Sequence, residues 1–242
     1  MKLPRKIDDR LKDAIVNIQF VPGVPAETVL GYAHAHLNTL FDTVTADPFP
    51  AFSLQANSLM IDQRSVYFLS KDRKVRIDIN GQSITFNVNQ GYPGWAEYRN
   101  VIADCLNALG AGNVIKQFTR LGIRYISQFD DVQIADSINI DLAIRSVPAE
   151  RRGQIRVEFV HQGFQVIVTL VDRYPTEVRS PLPSAPGFFS LVDIDVIKFY
   201  ATERPIDQQT LLTDIDTAHH EQKVLFFELL KDSFLQTLNP QY

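Results

Sequence analysis

Four charged side chains stand at spacings that could do chemistry. Asp193 and Asp195 lie two apart in Leu191-Val-Asp-Ile-Asp-Val-Ile-Lys-Phe-Tyr200. Residues i and i+2 of a strand share a face, so their carboxylates would be neighbours. Such a pair could hold Mg²⁺ with substrate phosphates, or share one proton, which is the chemistry of phosphotransfer or of a metal-dependent nuclease. No third ligand is evident in the chain. Arg120 and Arg124 lie four apart in Arg120-Leu-Gly-Ile-Arg-Tyr-Ile126, so on a strand they also share a face. A guanidinium among Leu121, Ile123 and Ile126 needs a carboxylate or a ligand anion. The expected arrangement is an ion pair of each arginine with Asp193 or Asp195 across a sheet. The functional alternative is an anion-recognition face, and Tyr92, Trp95, Tyr98 and Tyr125 could stack bases or a planar ligand. Arg120, Arg124, Tyr125, Asp193 and Asp195 are therefore the candidate ligand- or partner-binding residues.

The remaining reactive residues point away from catalysis. The five histidines include no i, i+4 pair: His34 and His36 are two apart, and His219 and His220 are adjacent. No zinc site is expected from that spacing. No GxSxG elbow, GxxxxGK[ST] loop or GxGxxG loop is present, and Gly110-Ala-Gly-Asn113 follows a helix, as a C-cap would. Neither a catalytic residue nor a cofactor is assigned. The single cysteine, Cys105, falls on a helix's apolar stripe and reads as a packed thiol. A net charge of −4 offers no overall basic footprint, which disfavours nucleic acid as a partner. The charged start of the chain, broken by Pro4, does not resemble a signal peptide, and no apolar run approaches the ~20 residues a bilayer requires. The expected compartment is the cytoplasm.

The elements that must position these residues follow from periodicity. A strand is expected over 14–20, where Val16, Ile18 and Phe20 alternate with Asn17 and Gln19, and a helix over 26–41 on Leu30, Ala33, Leu37 and Leu40. Strand-like runs follow over 51–58, 59–70, 74–79 and 83–89. The last two flank Asn80-Gly81, whose readiness for positive φ suits a tight hairpin. Trp95, Tyr98, Ile102, Cys105 and Leu109, spaced 3, 4, 3, 4, predict an amphipathic helix ended by Gly110 and Gly112. A strand is expected over 115–129, an irregular or helical piece over 132–138, and strands over 141–147, 154–161 and 164–171 with Gln162-Gly163 at a turn. A proline-rich loop over 172–190, a strand over 191–200 and a helix over 207–238, broken near His219-His220, complete the chain. Runs of strands with few helices read as α+β: an antiparallel curved sheet with covering helices, in the manner of helix-grip or TATA-binding-protein-like architectures. The chain is expected to be one domain over 1–242, with two topologically similar halves, 1–114 and 115–242.

Taken together, Tyr92-Pro-Gly-Trp95, the Arg120–Ile126 run, the Asp193-x-Asp195 strand and the Ala218-His219 pair resemble a sporadically distributed bacterial family of unknown function. Where that family often carries a glutamate and an arginine in its first strand, this chain has Asn17 and Gln19. The resemblance brings no established catalytic residue. Its patchy distribution implies an immunity, antitoxin or phage-defence setting. The leading expectation is thus a non-enzymatic protein that binds a protein partner. A homodimer paired through an edge strand fits the strand pattern. The alternatives are a small-ligand or nucleotide sensor with an arginine-lined pocket, and a metal-dependent phosphotransfer or nuclease activity.

Overall fold

A computed structural model describes residues 3–8, 10–44, 65–140, 153–175, 187–201 and 203–242. Among them run β1 (Leu11–Pro22), α1 (Ala26–Leu37), β2 (Asp42–Val44), β3 (Val66–Leu69), β4 (Val75–Ile79), β5 (Ser83–Val88) and α2 (Trp95–Gly110). The chain continues through β6 (Ile115–Asp130), α3 (Ile134–Ser137), β7 (Gly153–His161), β8 (Phe164–Pro175), β9 (Phe188–Phe199), α4 (Gln208–Leu229) and α5 (Asp232–Thr237). The protein is α+β, with one antiparallel sheet in the order β2-β3-β4-β5-β1-β6-β9-β8-β7. In that order β1 lies beside β5, and β6 beside β9. Each strand that opens a strand–helix–meander run therefore pairs with the last strand of its own meander.

The chain forms two compact units, one of Ile15–Gly122 with Phe199–Ile215, the other of Met1–Ala14, Ile123–Lys198 and Asp216–Tyr242. In the first unit the alternation of β1, β4 and β5 sets two opposite faces. One register row runs Val16, Phe86, Ile77, Phe68 across β1, β5, β4 and β3. All four side chains are fully buried. Val29, Ala33 and Leu37 of α1 and Tyr98, Ile102, Cys105, Leu106 and Leu109 of α2 complete this core. The Tyr98 hydroxyl donates to the Phe86 carbonyl oxygen at 2.8 Å, which satisfies a buried polar group at the helix–sheet contact. The adjacent row, Asn17, Thr85, Asp78, Tyr67, points the other way. In the second unit Val157, Val168 and Ile194 share one row, and Arg156, Thr169 and Asp193 the next. Tyr125 and Phe129 of β6 face His219 of α4 and Phe234 of α5, with ring centroids 5.6 and 5.5 Å apart.

Several expectations change for identifiable reasons. The helix begun at Ala26 stops at Leu37, four residues short, and Leu40 is exposed rather than part of its apolar stripe. Trp95 is only half-buried and sits edge-on to Tyr98, while Leu106 joins the stripe in its place. The last helix runs unbroken through His219-His220. It ends at Leu229, where Leu230 bridges to Ile138 and Lys231 takes an extended conformation that starts α5. Residues 172–175 and 188–190, read as loop, belong to β8 and β9. The strands expected over 51–58 and 141–147, and residues 176–186, lie outside the described residues.

The β4–β5 hairpin is present, but its turn works differently from expectation. Neither Asn80 nor Gly81 has positive φ. The Asn80 side-chain oxygen instead accepts hydrogen bonds from the backbone N–H groups of Gln82 and Ser83, at 2.9 and 2.7 Å. Gly81 is required by proximity: a Cβ there would lie 2.4 Å from the Ala26 Cβ at the start of α1. The doubly positive turn appears at Gln162 (φ 49°) and Gly163 (φ 81°), between β7 and β8. Gly112 likewise makes room, since a Cβ would enter the Tyr32 ring, and the left-handed residue after α2 is Asn113.

Candidate functional site

The Arg-Leu-Gly-Ile-Arg run occupies β6 with its side chains sorted by alternation. Leu121, Ile123 and Tyr125 point into apolar surroundings and are buried, whereas Arg120 and Arg124 are half-buried. Tyr125 therefore stands on the opposite face from the arginines, packed near His219, and cannot form a platform beside them.

Arg124 meets Asp193 of β9 in a two-pronged ion pair. Its Nε donates to Asp193 Oδ1 at 2.9 Å and its Nη2 to Oδ2 at 2.7 Å. This fork geometry is what distinguishes arginine from lysine as a carboxylate partner. The Asp193 hydrogen bond raises the Arg124 pKa against opposing desolvation, with further contributions from Asp195 and Asp13. Both oxygens of Asp193 are thus directed at a guanidinium. A metal ion or a shared proton at the Asp193–Asp195 pair would have to displace it. No cluster of three or more His, Cys, Asp or Glu side chains suited to a metal occurs among the described residues.

Arg120 also contacts β1. Its Nη1 donates to the Asn17 side-chain oxygen of β1 at 3.0 Å, and Asn17 Nδ2 donates in turn to Thr85 Oγ1 of β5 at 2.8 Å. The reason is in the motif itself. A Cβ on Gly122 would come within 2.9 Å of Arg120 Nη1 and 3.2 Å of Cζ, so the missing side chain lets the guanidinium lie against its own strand. In that position it reaches β1. Asn17 serves here as a neutral acceptor. Further along the same register row, Arg76 Nε donates to Asp78 Oδ1 at 2.6 Å, and the Arg76 guanidinium lies 4.6 Å from the centre of the Tyr67 ring. Burial pushes the Asp78 carboxyl above its usual pKa, although Arg76 acts in the opposite direction. The pair is partly buried, with side-chain exposures of 23% and 27%.

Burial raises the Cys105 thiol pKa far above its ordinary value, with Asp104 adding to the effect, so the thiolate is not accessible as a nucleophile. The Tyr200 hydroxyl donates to Asp214 at 3.0 Å and is likewise pushed up, by burial first and by Asp214 second. Nothing in the sequence spacing singled out that pair, because the two residues sit on different elements.

Among the described residues β7 is strongly exposed. It is the end strand of the sheet among the described residues, and eight of its nine residues are exposed. Val157, Phe159 and Val160 are 41%, 36% and 77% exposed. Arg156 and Glu158 lie exposed beside these apolar residues.

No protein-family model matches the chain, and no curated protein matches it. No helix among the described residues is long and apolar enough to cross a membrane.

Proposed function

We propose that this protein acts by binding a protein partner rather than by catalysis, with β7 as the docking strand. The observation that carries this reading is the nine-residue strand that ends the sheet among the described residues, with its exposed Val157, Phe159 and Val160. Strand addition supplies affinity through main-chain hydrogen bonds and selectivity through alternate side chains. The engaged state of Asp193 supports the same reading, because a carboxylate committed to Arg124 is not poised for metal chemistry. The setting implied by the family resemblance is an antitoxin, immunity or phage-defence component working in the cytoplasm.

The test is co-purification of the full-length chain from its native cytoplasm, beside the Val160→Pro variant. Val160 lies on the side of β7 away from β8 in hydrogen-bonding sense, so proline there removes one outward donor. A stoichiometric protein partner held by the wild type and lost by the variant is expected. Absence of any such partner, or equal capture by both, refutes the proposal.

A further inference from the structure

We infer that in the isolated protein the β7 edge is occupied by a second copy of this chain, paired antiparallel about Val157. This rests on the reading of β7 as a docking strand and names its occupant. The argument starts at the hairpin. The two-residue turn at Gln162-Gly163 is closed by His161 and Phe164, which face each other in the register. Flanking residues of such a turn exchange hydrogen bonds, and bonded pairs then alternate along the ladder. Gly153, Ile155, Val157, Phe159 and His161 therefore turn their backbone groups toward β8. Gln154, Arg156, Glu158 and Val160 turn theirs outward.

Only registers that pair outward residues with outward residues form a ladder. Three of these are close to centred. A two-fold axis at Arg156 sets Arg156 against its own copy, and an axis at Glu158 sets Glu158 against its own copy, so each places like charges opposite one another. An axis at Val157 sets Arg156 opposite Glu158 of the second copy, twice, and Gln154 opposite Val160. On the other face it brings Val157 against its copy and Ile155 against Phe159. Arg156 and Glu158 already lie 3.8 Å apart along the strand, with exposures of 56% and 49%, so both are within reach of a facing strand. The strand is thus self-complementary in charge, in apolar contact and in hydrogen-bond parity within a single register. That register offers about eight backbone hydrogen bonds. An unrelated partner would not require this palindrome, and a second copy does.

Sedimentation equilibrium of the full-length chain over about 1–100 µM tests the pairing. The wild type is expected to dimerise. Val160→Pro is expected to weaken the dimer at least tenfold, because it removes an outward donor at both ends of the ladder. Arg156→Glu or Glu158→Arg alone sets two like-charge pairs across the axis and is expected to weaken it about tenfold. The double reversal restores both pairs and is expected to return to within about threefold of wild type. Circular dichroism on each variant checks folding, and the double reversal carries the same two substitutions as the single ones. A wild type that stays monomeric, or a double reversal as weak as the singles, overturns the inference. A monomer whose stability Val160→Pro lowers also overturns it, in favour of a segment of the same chain on that edge. If the wild type is monomeric while a host partner is still lost on Val160→Pro, self-pairing fails and the docking-strand reading stands. If neither depends on Val160, both fail.

Discussion

Gly81→Ala separates two physical accounts of the β4–β5 turn by the sign of its effect. Gly81 does not have positive φ, so alanine there meets no left-handed backbone strain. By backbone entropy alone, the substitution would stabilise the protein by about 0.4–1 kcal/mol. The packing says otherwise. The new Cβ would fall 2.4 Å from Ala26 Cβ and 3.1 Å from Ala26 Cα. Carbon atoms rest at about 3.5–4.0 Å, so the first turn of α1 or the hairpin must move by about 1 Å. Overpacking of this kind costs about 1–3 kcal/mol, which outweighs the entropic gain. Ala26→Gly removes the opposing methyl and costs about 0.5–1 kcal/mol alone. The double variant is therefore expected to recover about 1–2 kcal/mol relative to the sum of the singles, less than complete relief because the 3.1 Å approach remains. Urea unfolding followed by Trp95 fluorescence reads this directly, since Trp95 is the sole tryptophan and contacts the Tyr98 ring in the same unit. A neutral or stabilising Gly81→Ala, or additivity of the two substitutions within about 0.5 kcal/mol, would refute the close-approach argument.

Three further outcomes are expected. For the Arg124–Asp193 pair, a double-mutant cycle with alanine should return a coupling energy of about 1–2 kcal/mol, between the values for exposed and buried pairs, because the side chains are 37% and 15% exposed; a coupling indistinguishable from zero would mean the fork does not hold in solution. Burial, aided by Lys223 and His220, holds His219 at about 4 in the folded protein, below the usual 6.5. The unfolded chain thus binds the proton first, and stability should fall as pH drops from about 6.5 to about 4, by up to roughly 3 kcal/mol. His219→Gln should flatten that part of the profile, and an unchanged slope would count against a neutral buried imidazole. Cys105, fully buried with a raised pKa, should resist a disulfide-exchange reagent in the folded protein and react only on unfolding; prompt native-state labelling would contradict the burial.

The order of strands and helices was legible in the chain because alternation and 3–4 spacing are local signals. β4, β5, α2 and β6 begin and end within about a residue of their expected positions. That the Arg120–Ile126 run is a strand with both arginines on one face followed from the same signal, and so did a carboxylate partner for Arg124. What local pattern could not carry is which elements meet. Asp193 is 69 residues from Arg124 and Asn17 is 103 from Arg120, so both contacts depend on which strands the sheet sets side by side. The glycines show the same division. Sequence identifies Gly81, Gly112 and Gly122 as glycine, but whether each serves φ or space depends on Ala26, Tyr32 and the Arg120 guanidinium lying against them. That β7 is the end strand among the described residues is likewise a property of the sheet, since the chain itself carries no mark distinguishing a strand with one neighbour from a strand with two.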